Sequence, residues 1–389
     1  MEDYIVSKSK KMKIIITIIC ISFTQGLQFC LSPVLGQIQN HFSNVSVSMV
    51  QMLVTVPTFL SIAMALLSGW LVVKISKKKL LLFSGLVAGI TGFIPFLADS
   101  FILLFVSRIF FGIALGICIA LNTAVVAEFF EGDERVSVMG IQAASVGAGI
   151  MIITTLGGIV GASRFQNAYV LNVIGFIAFI LIAVCLPETG TTKVNGAEKI
   201  QMNKTVYVTS VICALEMLFL ITFSTNIAMH LSGNLAGSTT VTGNLTGVFS
   251  GSQIVVGLIL GGITKITKKY TLPAAMLSFS VGGLILILFP SSFIMLMIGA
   301  MFCGFSQGMF IPTAMVDVSN AVNPASTTMA AAVMTCGNCF GQLISPTVMN
   351  CTAKWILGET TTMNVYILAV IGMTISAMAV ILLIIKSNN

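Results

Sequence analysis

Charge is what this chain has least of: 12 acidic and 19 basic residues among 389 make up 8% of it, against roughly 25% in an average soluble domain. With 57% of the residues hydrophobic, water cannot be the main solvent, and an ordinary soluble protein is excluded. The two histidines stand in no arrangement with serine and aspartate that would serve nucleophilic catalysis. No glycine-rich phosphate loop ending in Gly-Lys-Ser/Thr occurs either, so a membrane hydrolase and an ATP-driven pump are both disfavoured. The nine cysteines show neither metal-ligand spacing nor a disulfide framework. Cys336 and Cys339 have the spacing of a redox pair, but they fall inside an apolar, glycine-rich stretch without the βαβ setting that such chemistry uses. No metal and no cofactor is expected.

What is present instead is long apolar runs. A membrane span needs roughly 20 apolar residues, and the chain supplies twelve such runs, at 14–36, 48–73, 80–98, 101–126, 139–162, 168–186, 206–229, 245–264, 272–290, 293–315, 329–349 and 365–385. In lipid every backbone polar group must be satisfied within the segment, so the runs are predicted to be helices and the chain an all-α membrane protein. The first run follows MEDYIVSKSKKMK and is read as a retained first helix, because it is span-length and eleven more follow it. With the N-terminus in the cytoplasm, sixteen of the nineteen Lys and Arg fall on the cytoplasmic side, Arg164 and Lys354 fall outside, and Arg108 lies within a span. That asymmetry sets the orientation, with both termini cytoplasmic. The +7 net charge is thereby a topology signal, and the lipid bilayer, not nucleic acid, is the expected surroundings. Sixteen Lys against three Arg, with abundant Ile, points to a low-GC bacterial source and so to the cell membrane.

The chain also repeats itself about 192 residues apart. Lys-Ile-Ser-Lys-Lys from Lys74 returns as Lys-Ile-Thr-Lys-Lys from Lys265, Ser100 to Leu104 returns from Ser292, Gly112 and Gly116 return as Gly304 and Gly308, and Gly149 returns as Gly341. The polar stretch from Glu188 to Lys204 separates the sixth run from the seventh. The expected organisation is therefore an N-terminal six-helix bundle over 1–187, a cytoplasmic linker over 188–204 and a C-terminal six-helix bundle over 205–389. Two such parallel, pseudo-symmetric repeats are the build of many secondary transporters, which bind cargo between the halves.

Polar residues inside the runs are the candidates for chemistry. Glu216 lies about 16 Å along its helix at 1.5 Å rise per residue, near mid-membrane, where an ionisable group costs roughly 2.5–3.5 kcal/mol even on lenient scales. It is read as the carrier of a coupling proton, with Asp317 at the end of the tenth run as a second candidate. Arg108 has nothing in its own run to neutralise it, so its partner comes from another helix or from a substrate; snorkelling to the interface is the alternative. Gln25, Gln28, Phe29 and Ser32 occupy i, i+3, i+4 and i+7 just before Pro33, an amide-and-aromatic stripe that avoids lipid. Phe223, Asn226 and His230 follow Glu216 on one predicted face, with His230 at the outer boundary. Asn122, Gln307, Phe310 and Asn338 complete a predicted cavity of neutral hydrogen-bonding groups with aromatic walls, though interhelical glue is the alternative for each amide. The pairs Gly112/Gly116, Gly304/Gly308 and Gly337/Gly341 are read as close helix approaches.

Gly69, Leu71, Lys74, Lys77 and Lys78 fit G-x-L-x-D-[RK]-x-G-[RK]-[RK], Arg108 with Gly112 and Gly116 forms an Arg-x-x-x-Gly element, and Leu186 to Thr189 reads Leu-Pro-Glu-Thr. With the repeat, these features resemble the major facilitator superfamily over essentially the whole chain. The resemblance implies alternating access about a central site, Arg108 facing that site, a proton-coupling carboxylate in the seventh helix, and a gating loop at residues 69–78. Two departures stand out. Val73 and Ser76 occupy the loop's usual Asp and Gly, so the carboxylate that latches it is missing. Gly140, Gly149, Gly157 and Gly158 keep the spacing of the exporter pattern of the fifth helix, but Ile153 and Thr154 replace its Gly-Pro, and the proline appears in the second half as Pro346. The expectation is a monomeric, proton-coupled exporter of a small organic or amphipathic solute, nearest in pattern to the drug and sugar antiporters. An uptake carrier for a small organic anion, with Arg108 as counter-charge, and a transporter-like sensor are the alternatives.

Overall fold

The computed structural model describes residues 8–97, 99–189, 202–322 and 326–386, and among them every regular element is a helix. In the first half these are α1 (Lys8–Gly26), α2 (Leu35–His41), α3 (Val47–Thr55), α4 (Pro57–Leu71), α5 (Lys77–Thr91), α6 (Phe101–Phe129), α7 (Gly132–Val160) and α8 (Val173–Cys185). In the second half they are α9 (Lys204–Leu220), α10 (Thr222–His230), α11 (Thr239–Thr267), α12 (Thr271–Leu288), α13 (Phe293–Asn320), α14 (Thr327–Leu357) and α15 (Thr362–Lys386). Among the described residues ten segments are long and apolar enough to cross a membrane. One of them, Thr239–Leu288, is two rods joined by a tight turn at Lys268–Tyr270, and α14 supplies a further rod of 31 residues.

Local chemistry sets several helix ends. Ser76 caps α5 by accepting from the Lys79 N–H, Asn203 caps α9 from the Thr205 N–H, and Ser238 caps α11 from the Val241 N–H. Pro57 begins α4, where its missing N–H costs nothing, and Gly358, at φ +82°, closes α14 with a backbone only glycine adopts freely. The first rod is not one helix. It runs as α1 to Gly26, tightens into 3₁₀ turns at Leu27–Phe29 and Ser32–Val34 around Pro33, and resumes as α2. The α-helical period assumed for the Gln25 to Ser32 stripe therefore does not run through it. The corresponding rod of the second half breaks at Ile221, between α9 and α10.

The described residues gather into two compact units. One is drawn from Met1–Cys30, Val56–Ile153 and Gln166–Asn195; the other from Leu31–Thr55, Thr154–Phe165 and Gly196–Asn389. The core of the first unit is built at helical spacing from Ile14, Ile18 and Ile21 on α1, Ile117, Leu121 and Val125 on α6, and Ala178 and Ile182 on α8. The second unit joins α9–α15 to the parts of the first half that flank the connections at 42–46 and 161–165. Large apolar side chains such as Ile102, Val184, Leu258 and Leu382 are exposed, whereas Arg108, Glu216 and many hydroxyls are buried. That pattern matches a surface solvated by lipid. The linker expected between Glu188 and Lys204 lies, over 190–201, outside the described residues.

The three glycine pairs make close approaches. A Cβ on Gly112 or Gly116 would run into the Pro57 or Ser61 carbonyl of α4; on Gly304 or Gly308, into the Phe249 or Gln253 carbonyl of α11; on Gly337 or Gly341, into the Ser210 or Ala214 carbonyl of α9. These approaches set the pairings of α6 with α4, α13 with α11 and α14 with α9.

Candidate functional site

In the first unit the break in the first rod creates a place for Arg108. The side chain is 1% exposed; its Nη1 donates to the Leu27 carbonyl at 3.3 Å, its Nη2 donates to the Gln28 carbonyl, and the guanidinium carbon lies 4.9 Å from the Phe111 ring centre. Arg108 therefore clamps the 3₁₀ turn of the first rod from inside the protein, and the snorkelling alternative is set aside. Gln28 is buried, while Gln25 and Phe29 are half-buried. Asn122, fully buried on α6, donates to Ser22 Oγ at 2.9 Å, and its Oδ1 has no hydrogen-bond partner among the described residues.

Lysines of the loop between α4 and α5 pair with acids from elsewhere in the same unit. Lys77 Nζ lies 2.7 Å from Glu128 at the end of α6, Lys78 Nζ lies 3.7 Å from Glu188, and the Lys78 N–H donates to Thr189 Oγ1 at 2.9 Å. The Lys74 ammonium sits 4.1 Å over the Trp70 ring. Leu71 is half-buried, and Gly69 is exposed, with open space where a Cβ would stand.

In the second unit Glu216 is completely buried, and neither carboxylate oxygen has a hydrogen-bond partner among the described residues. Among the described residues nothing is hydrogen-bonded to that carboxyl group, and a bare charge in such a place is costly. Phe223 is buried and stacks on Phe249 with ring centres 4.8 Å apart. Asn226 accepts from Gln51 Nε2 at 2.8 Å and donates to the Thr222 carbonyl at 3.0 Å. Gln307 accepts from Gln253 Nε2 at 2.8 Å, Phe310 is buried, Asn338 is half-buried, and Asp317 is exposed near the end of α13. His230, the last residue of α10, is buried in this unit: Nδ1 is 3.1 Å from Thr362 Oγ1, Nε2 is 3.0 Å from the Leu286 carbonyl, and Tyr366 meets the ring edge-on.

Sequence reading did not single out Gln51, Asn350 or Ser48, which join Asn226 in one buried hydrogen-bond chain. Nothing in the sequence alone says that these side chains meet one another.

A family model described as Major Facilitator Superfamily matches residues 15–229 and again 209–388. The chain belongs to that superfamily. Superfamily membership makes it a membrane transporter of the secondary type and not an enzyme, with two helical repeats in one fold. Solved structures agree on this fold. The nucleoside transporter NupG matches with a TM-score of 0.80 at 14% identity, over 95% of this chain and 99% of that one. A D-xylose–proton symporter gives 0.78 at 14%, over 95% and 97%, and a peptide transporter POT, solved with sulfate, gives 0.77 at 10%, over 96% and 94%. No curated protein matches the sequence. At such identities the likeness is one of fold, so within the superfamily the solute is a question for this chain's own residues.

Proposed function

We propose that the chain is a proton-coupled secondary transporter of a small organic solute, working by alternating access, with Glu216 as the residue that takes up and releases the proton. The observation that carries the reading is the wholly buried carboxyl group of Glu216, which has no hydrogen-bond partner among the described residues. An acid that is stable in one state only when neutral, and charged only when opened to water, ties its proton to the conformational change. Exposed Asp317 is the weaker candidate. The solute class is read from residue chemistry in each unit by itself: Gln25, Gln28 and Asn122 with Phe29 in the first, and Asn226, Gln307 and Asn338 with Phe223 and Phe310 in the second, offer neutral donors and acceptors and aromatic rings that suit a hydroxyl- or amide-bearing molecule with an apolar face. The structural relatives named for nucleoside, D-xylose–proton and peptide transport belong to the same chemical range. Arg108 already donates to two backbone carbonyls, which favours a structural clamp over a receptor for an anionic solute. Export is the direction we favour, from the glycine spacing of the fifth run, with the protein monomeric, in a bacterial cell membrane, both termini in the cytoplasm and the halves divided at the linker.

Proteoliposomes holding the full chain test this. A pH step is imposed, and external proton uptake is followed while sugars, nucleosides, short peptides and amphipathic cations are added in turn. A one-to-one exchange driven by one pH unit sustains about a tenfold solute gradient, since one unit is worth 1.36 kcal/mol. Glu216→Gln should lose that gradient yet still exchange labelled for unlabelled solute. Uphill movement that survives in Glu216→Gln rules out the assignment and turns attention to Asp317.

A further inference from the structure

We infer that the hydrogen-bond chain Ser48–Asn350–Gln51–Asn226 is the breakable latch of a gate, closed in this structure, and that the contact of Gly158 with Gly243 is its symmetry counterpart. The inference rests on the alternating-access reading above. The argument begins with the repeat. Ser32 and Ser224 are equivalent residues, separated by 192 positions, and they touch: Ser32 Oγ donates to the Ser224 carbonyl. Gly36 and Ala228 are also equivalents, and a Cβ on Gly36 would stand 3.0 Å from the Ala228 carbonyl oxygen. Residues that meet their own equivalents lie on the pseudo-twofold axis of the repeat. Contacts beside that axis must then occur in equivalent pairs, and they do. Gly158 and Gly243 meet in the second unit, and the residues equivalent to them are Asn350 and Gln51, which meet as well.

The two seams share a symmetry but not a chemistry. At the glycine seam backbone lies on backbone: a Cβ on Gly243 would stand 3.0 Å from the Thr154 carbonyl oxygen and 3.1 Å from Gly158 Cα, and Thr239 Oγ1 donates to the Gly158 carbonyl at 2.9 Å. Such a contact is held by close packing, and any separation forfeits it. At the amide seam Asn350 Nδ2 donates to Gln51 Oε1 at 2.6 Å and to Ser48 Oγ at 3.0 Å, and Gln51 Nε2 donates to Asn226 Oδ1 at 2.8 Å. Gln51, Asn226 and Asn350 are 1%, 2% and 4% exposed. Each of these bonds can be exchanged for a bond to water at small net cost, because protein and water satisfy a neutral amide almost equally. A seam of this kind has two states of similar free energy, as a gate requires. The amides tie α3, from the first half, to α10 and α14, from the second, so opening this seam parts the ends that flank the connection at 42–46.

The experiment reads gate opening without any solute. Val50, fully buried on α3 beside the latch residue Gln51, is replaced as Val50→Cys, and the rate at which a bulky maleimide modifies that position is followed by mass spectrometry in purified full-length protein. Gln51→Met and Asn350→Leu, each keeping side-chain bulk, should raise the rate roughly tenfold or more, because each removes the shared Asn350–Gln51 bond and one further bond, to Asn226 or to Ser48. The double variant should fall short of the product of the two single effects, because the Asn350–Gln51 bond is lost in both. Gln253→Met breaks an amide pair of the same kind on α11 and α13 and should leave the rate at its parental value. Ser48→Ala removes only the end of the chain and should give a two- to threefold rise, so the idea remains testable if a larger variant folds badly. Parental rates in folded Gln51→Met and Asn350→Leu, or an equal rise in Gln253→Met, overturn the latch. Faster modification in the latch variants of a protein that moves no solute would leave the latch standing and remove the transport reading instead.

Discussion

Replacing Arg108 should cost stability before it costs recognition. Its guanidinium is 1% exposed and donates to the carbonyls of Leu27 and Gln28 in the irregular turn of the first rod. Hydrogen bonds from a charged group are worth about 1.5–3 kcal/mol each, so Arg108→Ala removes two such bonds and leaves a void, a loss of about 3–5 kcal/mol. Arg108→Lys keeps the charge but offers a point cation in place of a planar fork and reaches one carbonyl at a time; about half the loss is expected. The assay is thermal unfolding in detergent by intrinsic fluorescence, with membrane abundance and solute exchange measured on the same variants. The expected order of melting temperature is parent, then Lys, then Ala, with a drop on the order of 10 °C for the Ala form, and exchange falls in the same order. A clamp and a solute receptor part company here. An Ala variant that melts within about 1 °C of the parent while losing affinity for an anionic solute would show that Arg108 serves the solute, and the argument from the broken rod would be refuted.

Glu216→Gln should melt close to the parent, because the carboxyl oxygens have no partner to lose among the described residues; a fall of more than about 5 °C would reveal a partner. Gly112→Leu should destabilise by about 1–3 kcal/mol or more through overpacking against α4, whereas Gly69→Ala, with open space at its Cβ position, should stay within about 0.5 kcal/mol, both read from thermal melts. Lys77→Glu should cost no more than about 1 kcal/mol, since its partner Glu128 is partly exposed, and Glu128→Lys in the same chain should restore the loss at low salt but not at high salt.

Several features were legible because they rest on composition and spacing. Length and apolarity reveal the rods, the offset of about 192 residues reveals the two repeats, and a charge in an apolar run marks Arg108 and Glu216 whatever their surroundings. The broken rods were less legible. Gly26, Pro33 and Ile221 sit in runs that stay apolar throughout, and hydropathy does not register a change from α-helical to 3₁₀ hydrogen bonding. The stripe drawn from Gln25 to Ser32 suffered for that reason. Partners were least legible of all. Nothing in Glu128 or Glu188 alone says that it meets a lysine of the 69–78 loop, and nothing in His230 alone says that it meets Thr362 and the Leu286 carbonyl. Such pairings join residues distant in sequence, and periodicity along a single helix holds no record of them.

The unlike seams also bear on how the duplication can be taken apart. A protein assembled from two copies of the first half would bring Gln51 against Gly158 on both sides of its axis, and one assembled from two copies of the second half would bring Gly243 against Asn350. Neither would own an amide pair or a glycine pair; each would set one long side chain opposite a bare backbone, twice. The same exchange would double Arg108 and lose Glu216, whose equivalent is Thr24, or double Glu216 and lose Arg108, whose equivalent is Ala300. The halves of this chain have ceased to be interchangeable parts, and each is complete only as the complement of the other.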